Sequence, residues 1–477
     1  MPSTFDAKVF RHVVVLSVAY IAPIILADVY YFDDHFRALE GYMLWSQDGR
    51  PIADFVYEVL SLGAIVPDTY PIPLVLFTVA FAAIGALIPV SREFRSRLLF
   101  ALCFVLLLFN PFFLSNLYFR YDSAVMVGAI VFAVAPFAMQ ALSRPVSFVF
   151  GAAALLASLS SYQAAITIFV SFAALETYSL FAKGTAIRDM ALRCGERIAQ
   201  LAIAFGAYSI LVRTLYMHQY ARDYMAPTDF DALTTNIAVA VEVANSIFSG
   251  PQGNLLLTAM TIGAAIVVFD FLRSDRKALY ALVLVACAAA GIFSYVGASP
   301  LSAKPLLYPR VYVGIGGALF LFFGIVALAS RNSAVAYVAV VPAVLLFFVT
   351  NIVSTNALKA DWEFQRSIAR SIIQDLNRLG LGRVETIYFR GTLAPSPQRH
   401  IAARAYPMVE RLSQSLFSQG YDGGRYLLML EGFPRVKYPD AAEQEGLSAS
   451  LNGSNPVADN ALYSVRVADG VPVIDFK

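Results

Sequence analysis

The run VVVLSVAYIAPIILA, residues 13 to 27, passes directly into DVYYFDDHFRALEGYMLWSQDGRPIADFVYE, residues 28 to 58. An apolar segment opening into a dense polar interval reads as a membrane span followed by a surface loop. The run is short for a span, where about 20 residues are expected, and falls in the range of a signal-peptide core. No small-residue cleavage signature leads into a soluble domain and ten further apolar runs follow, so it is read as a retained first span. The polar interval gathers Asp33, Asp34, His35, Arg37, Glu40, Asp48, Arg50, Asp54 and Glu58. A helix over Asp33 to Leu44 would put Asp33, Arg37 and Glu40 on one face, because positions i, i+4 and i+7 stack above one another. The plainer reading is a solvated cap beyond a span, with Asp33 and Arg37 as an ordinary ion pair of little worth.

Composition weighs on that choice. Of 477 residues, 58% are hydrophobic and only 14% charged, with a mean hydropathy of +0.65. Soluble proteins carry roughly a quarter charged residues, so the deficit points to a polytopic membrane protein. A net charge of +2 says nothing useful about nucleic acid, but charged residues are too few for a phosphate-tracking surface, so no nucleic-acid partner is expected. Cys103, Cys194 and Cys287 form neither a metal spacing nor a disulfide framework, and the four histidines, His218 and His400 among them, show no paired-ligand pattern. No dedicated zinc site is expected.

Apolar runs predict spans near 12 to 28, 72 to 90, 98 to 115, 123 to 141, 146 to 160, 164 to 182, 198 to 216, 254 to 272, 278 to 297, 311 to 330 and 334 to 353. That is about eleven helices. Alternate connections carry the positive charge: Lys8 and Arg11; Arg92, Arg95 and Arg97; Arg144; Lys183 to Arg197; Arg273 to Lys277; Arg331. The positive-inside rule makes these loops and the N-terminus cytoplasmic. The opposite side then holds residues 28 to 70, NLYFRYDS around Arg120 and Asp122, SSYQ with Tyr162 and Gln163, the segment from His218 to Asn254, and GASPLSAKPLLYPR ending at Arg310. Chemistry belongs there.

After Thr355 the composition changes, so residues 1 to 354 are read as a membrane domain and 355 to 477 as a small outer α/β domain. Phe364, Ile368, Ile372, Leu376 and Leu379 predict an amphipathic helix from Lys359 to Gly380. A strand is expected at Glu385 to Arg390, a helix at Ala402 to Phe417, a strand at Tyr426 to Leu430, and a hairpin from Tyr463 to Phe476 about an Asp-Gly turn. The fold class is thus an all-α polytopic membrane domain with a C-terminal α/β domain.

An enzyme acting on a lipid-linked substrate needs a carboxylate to accept a proton, a cation for phosphate and aromatic surfaces for sugar. Asp33 and Asp34 supply the first, where the membrane edge can desolvate a carboxyl; the structural alternative is a helix N-cap. Arg310, with Lys304 six residues earlier, supplies the second, because a guanidinium donates two parallel hydrogen bonds to phosphate; the alternative is an interfacial anchor. Arg120 and Asp122, flanking Tyr121, form another candidate pair or a local ion pair. Tyr30, Tyr31, Tyr42, Trp45, Tyr118, Tyr121, Tyr162 and Tyr308 all fall on the predicted outer side, although aromatic belts are general in membrane proteins. Asp33, Asp34 and His35 offer ligands to a divalent cation, but a metal-free site is expected.

DDHFRALEGYMLWSQDGRPIADFVYEVLSLG, NPFFLSNLYFRYDS, SSYQAAITIF and the YPR segment before a glycine-rich span come in an order that resembles the type II bacterial O-antigen, or serotype-converting, glucosyltransferases. The resemblance covers nearly the whole chain and is loosest after residue 355. It implies a GT-C-like fold in the bacterial inner membrane, with the active site and C-terminal domain periplasmic. It also implies inverting transfer of glucose or a related hexose from undecaprenyl phosphate to lipopolysaccharide O-antigen or another surface glycan. By the same resemblance Asp33 or Asp34 is the base and Arg310 contacts the donor phosphate. Arg37, Glu40, Arg50, Asp54, Arg120 and Asp122 bind or position substrate, with Trp45, Tyr162 and Gln163 in the matching stretches. No cofactor is required, and donor-synthesising and flippase proteins are expected partners. The alternative is a transporter or lipid-linked sugar flippase, which calls for ionisable groups along the middle of spans. A binding role for the C-terminal domain could accompany the enzyme.

Overall fold

The computed structural model describes residues 5–139, 142–215, 228–451 and 455–477. It is mostly helical and divides into two compact units, one of Met1–Leu26 with Tyr42–Ile352, the other of Ala27–Gly41 with Val353–Lys477. Among the described residues, seven helices are long and apolar enough to cross a membrane, and three further apolar helices, Ile72–Leu87, Ser123–Ala138 and Gly314–Ala329, are shorter. These mark a membrane protein. The start of the predicted outer segment, His218 to Pro227, lies outside the described residues; beyond it, the expected loop contains a helix, Phe230–Asn245.

In the first unit two of the shorter helices, Ser123–Ala138 and Gly314–Ala329, are almost wholly buried. Ser123–Ala138 packs on Ile72–Leu87 and Arg144–Ser161, and Gly314–Ala329 packs on Ile166–Ala182 and Lys277–Val296. Both are apolar all round, as helices enclosed by other helices should be. Aromatic rings fill the space between them: Phe172 stacks on Phe320 at 4.3 Å and Phe81 on Phe104 at 4.4 Å. Glycine sets the closest approaches. A Cβ on Gly314 would lie 2.2 Å from the Ser294 carbonyl oxygen, and one on Gly317 2.9 Å from Ser171 Oγ.

Two sequence expectations about the spans are corrected. The run 98 to 115 is not one helix but Arg97–Val105 and Pro111–Leu117. Asn110 restarts the helix, its side chain accepting from the Phe113 N–H, with Pro111 in the first turn where no N–H is needed. The segments 334 to 353 and 359 to 380 are a single 46-residue helix, Ser333–Arg378, because STNAL between them contains neither Gly nor Pro.

The second unit carries a four-stranded sheet of order β1-β4-β3-β2, with β1 at Tyr388–Arg390, β2 at Ala458–Asp459, β3 at Tyr463–Ala468 and β4 at Val471–Phe476. The β3–β4 hairpin turns at Asp469 and Gly470, both at positive φ, as a two-residue Asp-Gly loop requires. The expected helix at 402 to 417 is two short ones, Pro397–Ala405 and Met408–Leu412, and the expected strand at 426 to 430 is part of a helix, Gly423–Leu430. That helix buries Leu427 and Leu428 and packs on Asp34–Glu40 of the same unit. A buried ion pair, Arg399 Nη1 to Asp361 Oδ2 at 3.1 Å, joins the Ser333–Arg378 helix to the following segment.

Gly314→Ala should therefore destabilise the membrane unit by about 1–3 kcal/mol, the scale of overpacking. Gly291→Ala, whose Cβ would meet only Leu321 at 3.7 Å, should leave melting in detergent nearly unchanged; equal melting of both variants would refute the close-approach argument. In the second unit, Arg399→Met leaves the Asp361 charge buried without its cation, a change that costs about 3–5 kcal/mol. Hydrogen exchange of the β3 and β4 amides should accelerate accordingly, and unchanged protection would count against it.

Candidate functional site

In the membrane unit the GRP sequence folds as its residue types demand. Gly49 takes φ +76°, Pro51 occupies the first turn of the helix Pro51–Ser61, and Arg50 stands between them. Asp54 closes the loop by accepting the Trp45 N–H at 3.0 Å and the Ser46 N–H at 2.6 Å. Trp45 is thereby turned inward, stacked on Tyr57 at 4.8 Å and donating through Nε1 to Asp122 Oδ1 at 2.6 Å. Arg50 Nη1 lies 3.9 Å from the same carboxylate oxygen, and its guanidinium sits 4.9 Å above the Tyr162 ring.

Tyr162 ties this group to the other predicted cation. Its hydroxyl donates to the Arg310 carbonyl at 2.7 Å, which also accepts from Asn116 Nδ2 at 2.9 Å. The Arg310 guanidinium lies 5.3 Å from the Phe119 ring centre and 5.8 Å from that of Tyr308. The structure thus links Trp45, Arg50, Asp54, Asp122, Tyr162 and Arg310 in one set of contacts, with Arg50 beside the Asp122 carboxylate and Arg310 joined through its backbone carbonyl. Gln163 fastens the loop from behind, donating to the carbonyls of Asp48 and Gly49 at 3.0 and 3.3 Å and to the Tyr208 hydroxyl at 2.8 Å.

The remaining predicted residues of this unit diverge. Arg120 pairs with Asp68 at 2.6 Å and lies over the Tyr70 ring. Lys304 is exposed in the loop after Leu301. Sequence reasoning missed Tyr57, Asn116 and Tyr208. Tyr57 and Asn116 stand inside the stretches already singled out, whereas Tyr208 lies within an apolar span with nothing nearby to mark it.

The carboxylate pair belongs to the second unit. The helix runs only over Asp34–Glu40 and ends at Gly41 in the left-handed conformation, short of the expected Leu44. Asp33 holds the N-cap position without a capping side-chain bond. Asp34 is fully buried, with Oδ2 accepting the Tyr31 N–H at 2.9 Å. Arg37 is buried on the same helix, and Glu40 pairs with Arg435 at 2.8 Å. His35 donates through Nδ1 to the Phe32 carbonyl at 2.6 Å. Burial pushes its pKa down to about 4, against the pull of that bond, so it is neutral at neutral pH and adds no cation beside the carboxylates. Among the described residues, no three His, Cys, Asp or Glu side chains are grouped as metal ligands would be.

No solved structure matches the chain. A protein of Salmonella phage P22, described as an uncharacterized 55.3 kDa protein in the gtrB 5′ region, is 25% identical over 435 residues, spanning 88% of this chain and 89% of that one. Residues 22–347, which contain both the Asp33–Asp34 pair and the Arg50–Arg310 constellation, match the family described as Glucosyl transferase GtrII, and the chain belongs to that family.

Proposed function

We propose that the chain is a polyprenyl-phosphate-dependent glucosyltransferase that decorates the O-antigen of lipopolysaccharide, or a related surface glycan, at the periplasmic face of the bacterial inner membrane. The family supports glucosyl transfer, and the neighbourhood of gtrB in the phage relative's description agrees with a glycan-modifying role. The observation that carries the donor class is Tyr162, whose ring lies under the Arg50 guanidinium and whose hydroxyl holds the Arg310 carbonyl, in an apolar unit. Guanidinium groups held over ring faces are suited to receive a lipid phosphate through their planar N–H donors.

In this reading the acceptor hydroxyl attacks the anomeric carbon from the face opposite the phosphate, so configuration inverts. The new C–O bond forms as the bond to phosphate oxygen breaks. The proton passes to an aspartate, and the polyprenyl phosphate leaves with its developing charge met by Arg310. Asp33 or Asp34 supplies the base. Asp34 accepts the Tyr31 N–H in the turn before its helix. Trp45, Asp54, Asp122 and Gln163 shape the loop about the donor, and Arg37, Glu40, Arg120 and Lys304 act in binding or positioning. The N-terminus and the arginine-rich connections lie in the cytoplasm, and donor-synthesising and flippase proteins supply the substrate. The transporter reading needs ionisable groups free to act within spans, whereas Glu176 is held by Arg193 and Arg197 at 3.2 and 2.8 Å.

Membranes carrying the wild type should transfer labelled glucose from polyprenyl phosphoglucose to O-antigen. Asp33→Asn should lower the rate by about 10²–10⁴-fold, the loss expected for a general base, with expression and melting intact. Asp34→Asn losing transfer while Asp33→Asn retains it would move the base to Asp34; full activity in both would remove the pair from the chemistry. Arg310→Ala should cost about 10²–10³-fold, and Arg310→Lys should restore only a small part because it lacks the planar fork. Wild-type activity with a nucleotide sugar but not with the lipid-linked donor would overturn the donor class.

A further inference from the structure

A second set of cations gathers elsewhere in the membrane unit, where the helix Ala7–Ala27 begins, the turn Pro89–Arg92 closes and the helix Arg97–Val105 starts. Lys8, Arg92, Arg95 and Arg97 line one cavity of about 710 Å³ there. Asp6 is the carboxylate that accompanies them. Burial pushes its pKa up, but the Val9 and Lys8 N–H groups and the Arg97 guanidinium hold it below the usual carboxylate range. Asp6 is spent on Arg97 Nε at 2.5 Å, leaving the cavity strongly cationic. Arg97 Nη1 also donates to the Ser91 carbonyl and Arg95 Nε to the Ser330 carbonyl. These bonds fix both guanidinium groups while engaging only some of their five N–H donors each.

Two features say what such a cavity would take. Two large apolar side chains share its lining: Phe5, 48% exposed, and Leu98, 38% exposed, stand with the cations. Its charge is also unlike that of the neighbouring cavity lined by Glu93, Lys183, Arg193 and Glu196, where Lys183 pairs with Glu93 and Arg193 with Glu196. Cationic pockets among membrane helices at the positively charged side are suited to anionic headgroups. We propose that this cavity binds the headgroup of an anionic phospholipid, its phosphodiester on Lys8 and the three arginines and its acyl chains along Phe5 and Leu98. The site is separate from the Arg50–Arg310 constellation and does not depend on the glucosyltransferase reading.

The test uses the full chain in nanodiscs of phosphatidylcholine and phosphatidylglycerol, with retained lipid read by native mass spectrometry. Wild type should retain phosphatidylglycerol selectively. Lys8→Gln/Arg92→Gln should reduce that retention by roughly tenfold or more, the scale expected for two interfacial cations. Arg188→Gln/Lys277→Gln, which removes the same charge from exposed positions outside the cavity, should retain it as wild type does. Equal retention in all three, or equal loss in both double variants, would overturn the site. Displacement of the lipid by inorganic phosphate alone would also overturn it, making the cavity a phosphate-ion site. Should the first double variant fail to fold, Lys8→Glu at an exposed side chain carries the same comparison.

Discussion

In a bilayer an apolar side chain gains little by exchanging lipid for protein, so helices hold where small residues let backbones meet. The helix Gly314–Ala329 depends on that constraint. Gly314 faces the Ser294 carbonyl, Gly316 the carbonyls of Leu106 and Leu107, and Gly317 the Ser171 side chain, all at distances a Cβ would violate. Ser171 donates to Ser294 Oγ and Ser294 to the Thr167 carbonyl, each at 2.9 Å, so the polar groups at this contact are satisfied as well as close. A helix held this tightly fixes the turn before it, Pro309–Val311. That turn presents Arg310.

The loop from Tyr42 to Ser61 meets a different requirement. Its backbone polar groups approach an apolar bundle and must find partners, because an unpaired buried donor or acceptor costs about 1–3 kcal/mol. Asp54 takes two N–H groups, while Gln163 and Tyr208 cover the carbonyls of Asp48 and Gly49. Gly49 is required twice over, by its positive φ and because a Cβ would sit 2.7 Å from the Tyr208 hydroxyl. Asp122 receives the Trp45 indole N–H and faces Arg50. Trp45, Asp54 and Tyr57 are therefore folded into the unit, whereas Asp48, Phe55 and Glu58 stay exposed.

What the sequence made legible follows from how local each cause is. Apolar runs, the Asp-Gly hairpin and the density of charge after the first span are short-range signals, and each has its counterpart in the structure. The break at Asn110 was also written locally, as an Asn-Pro cap, but it lies within apolar residues that a hydropathy reading passes over. Tyr426 to Leu430, one Tyr with three Leu and a Met, reads equally as strand or helix; packing of Gly423–Leu430 on Asp34–Glu40 decides it. Trp45, Arg50, Asp54, Asp122 and Tyr162 were identifiable because charge and aromatic rings are conspicuous in an apolar chain. Tyr208 was not, since its role rests on a hydroxyl meeting a loop 159 positions away.

The aromatic residues acquire a role that their number alone did not suggest. A belt tyrosine offers one end to lipid and the other to water. Tyr162 is instead buried, its ring face beneath Arg50 and its hydroxyl on the Arg310 carbonyl. Arginine can use such a support because its weakly hydrated plane stacks on a ring and still directs N–H donors along its edge. Lysine would keep the charge but not the plane. The same arrangement recurs at Arg310 over Phe119 and Arg120 over Tyr70. Placing cations on ring faces fixes their direction through the plane of the guanidinium as well as through its charge.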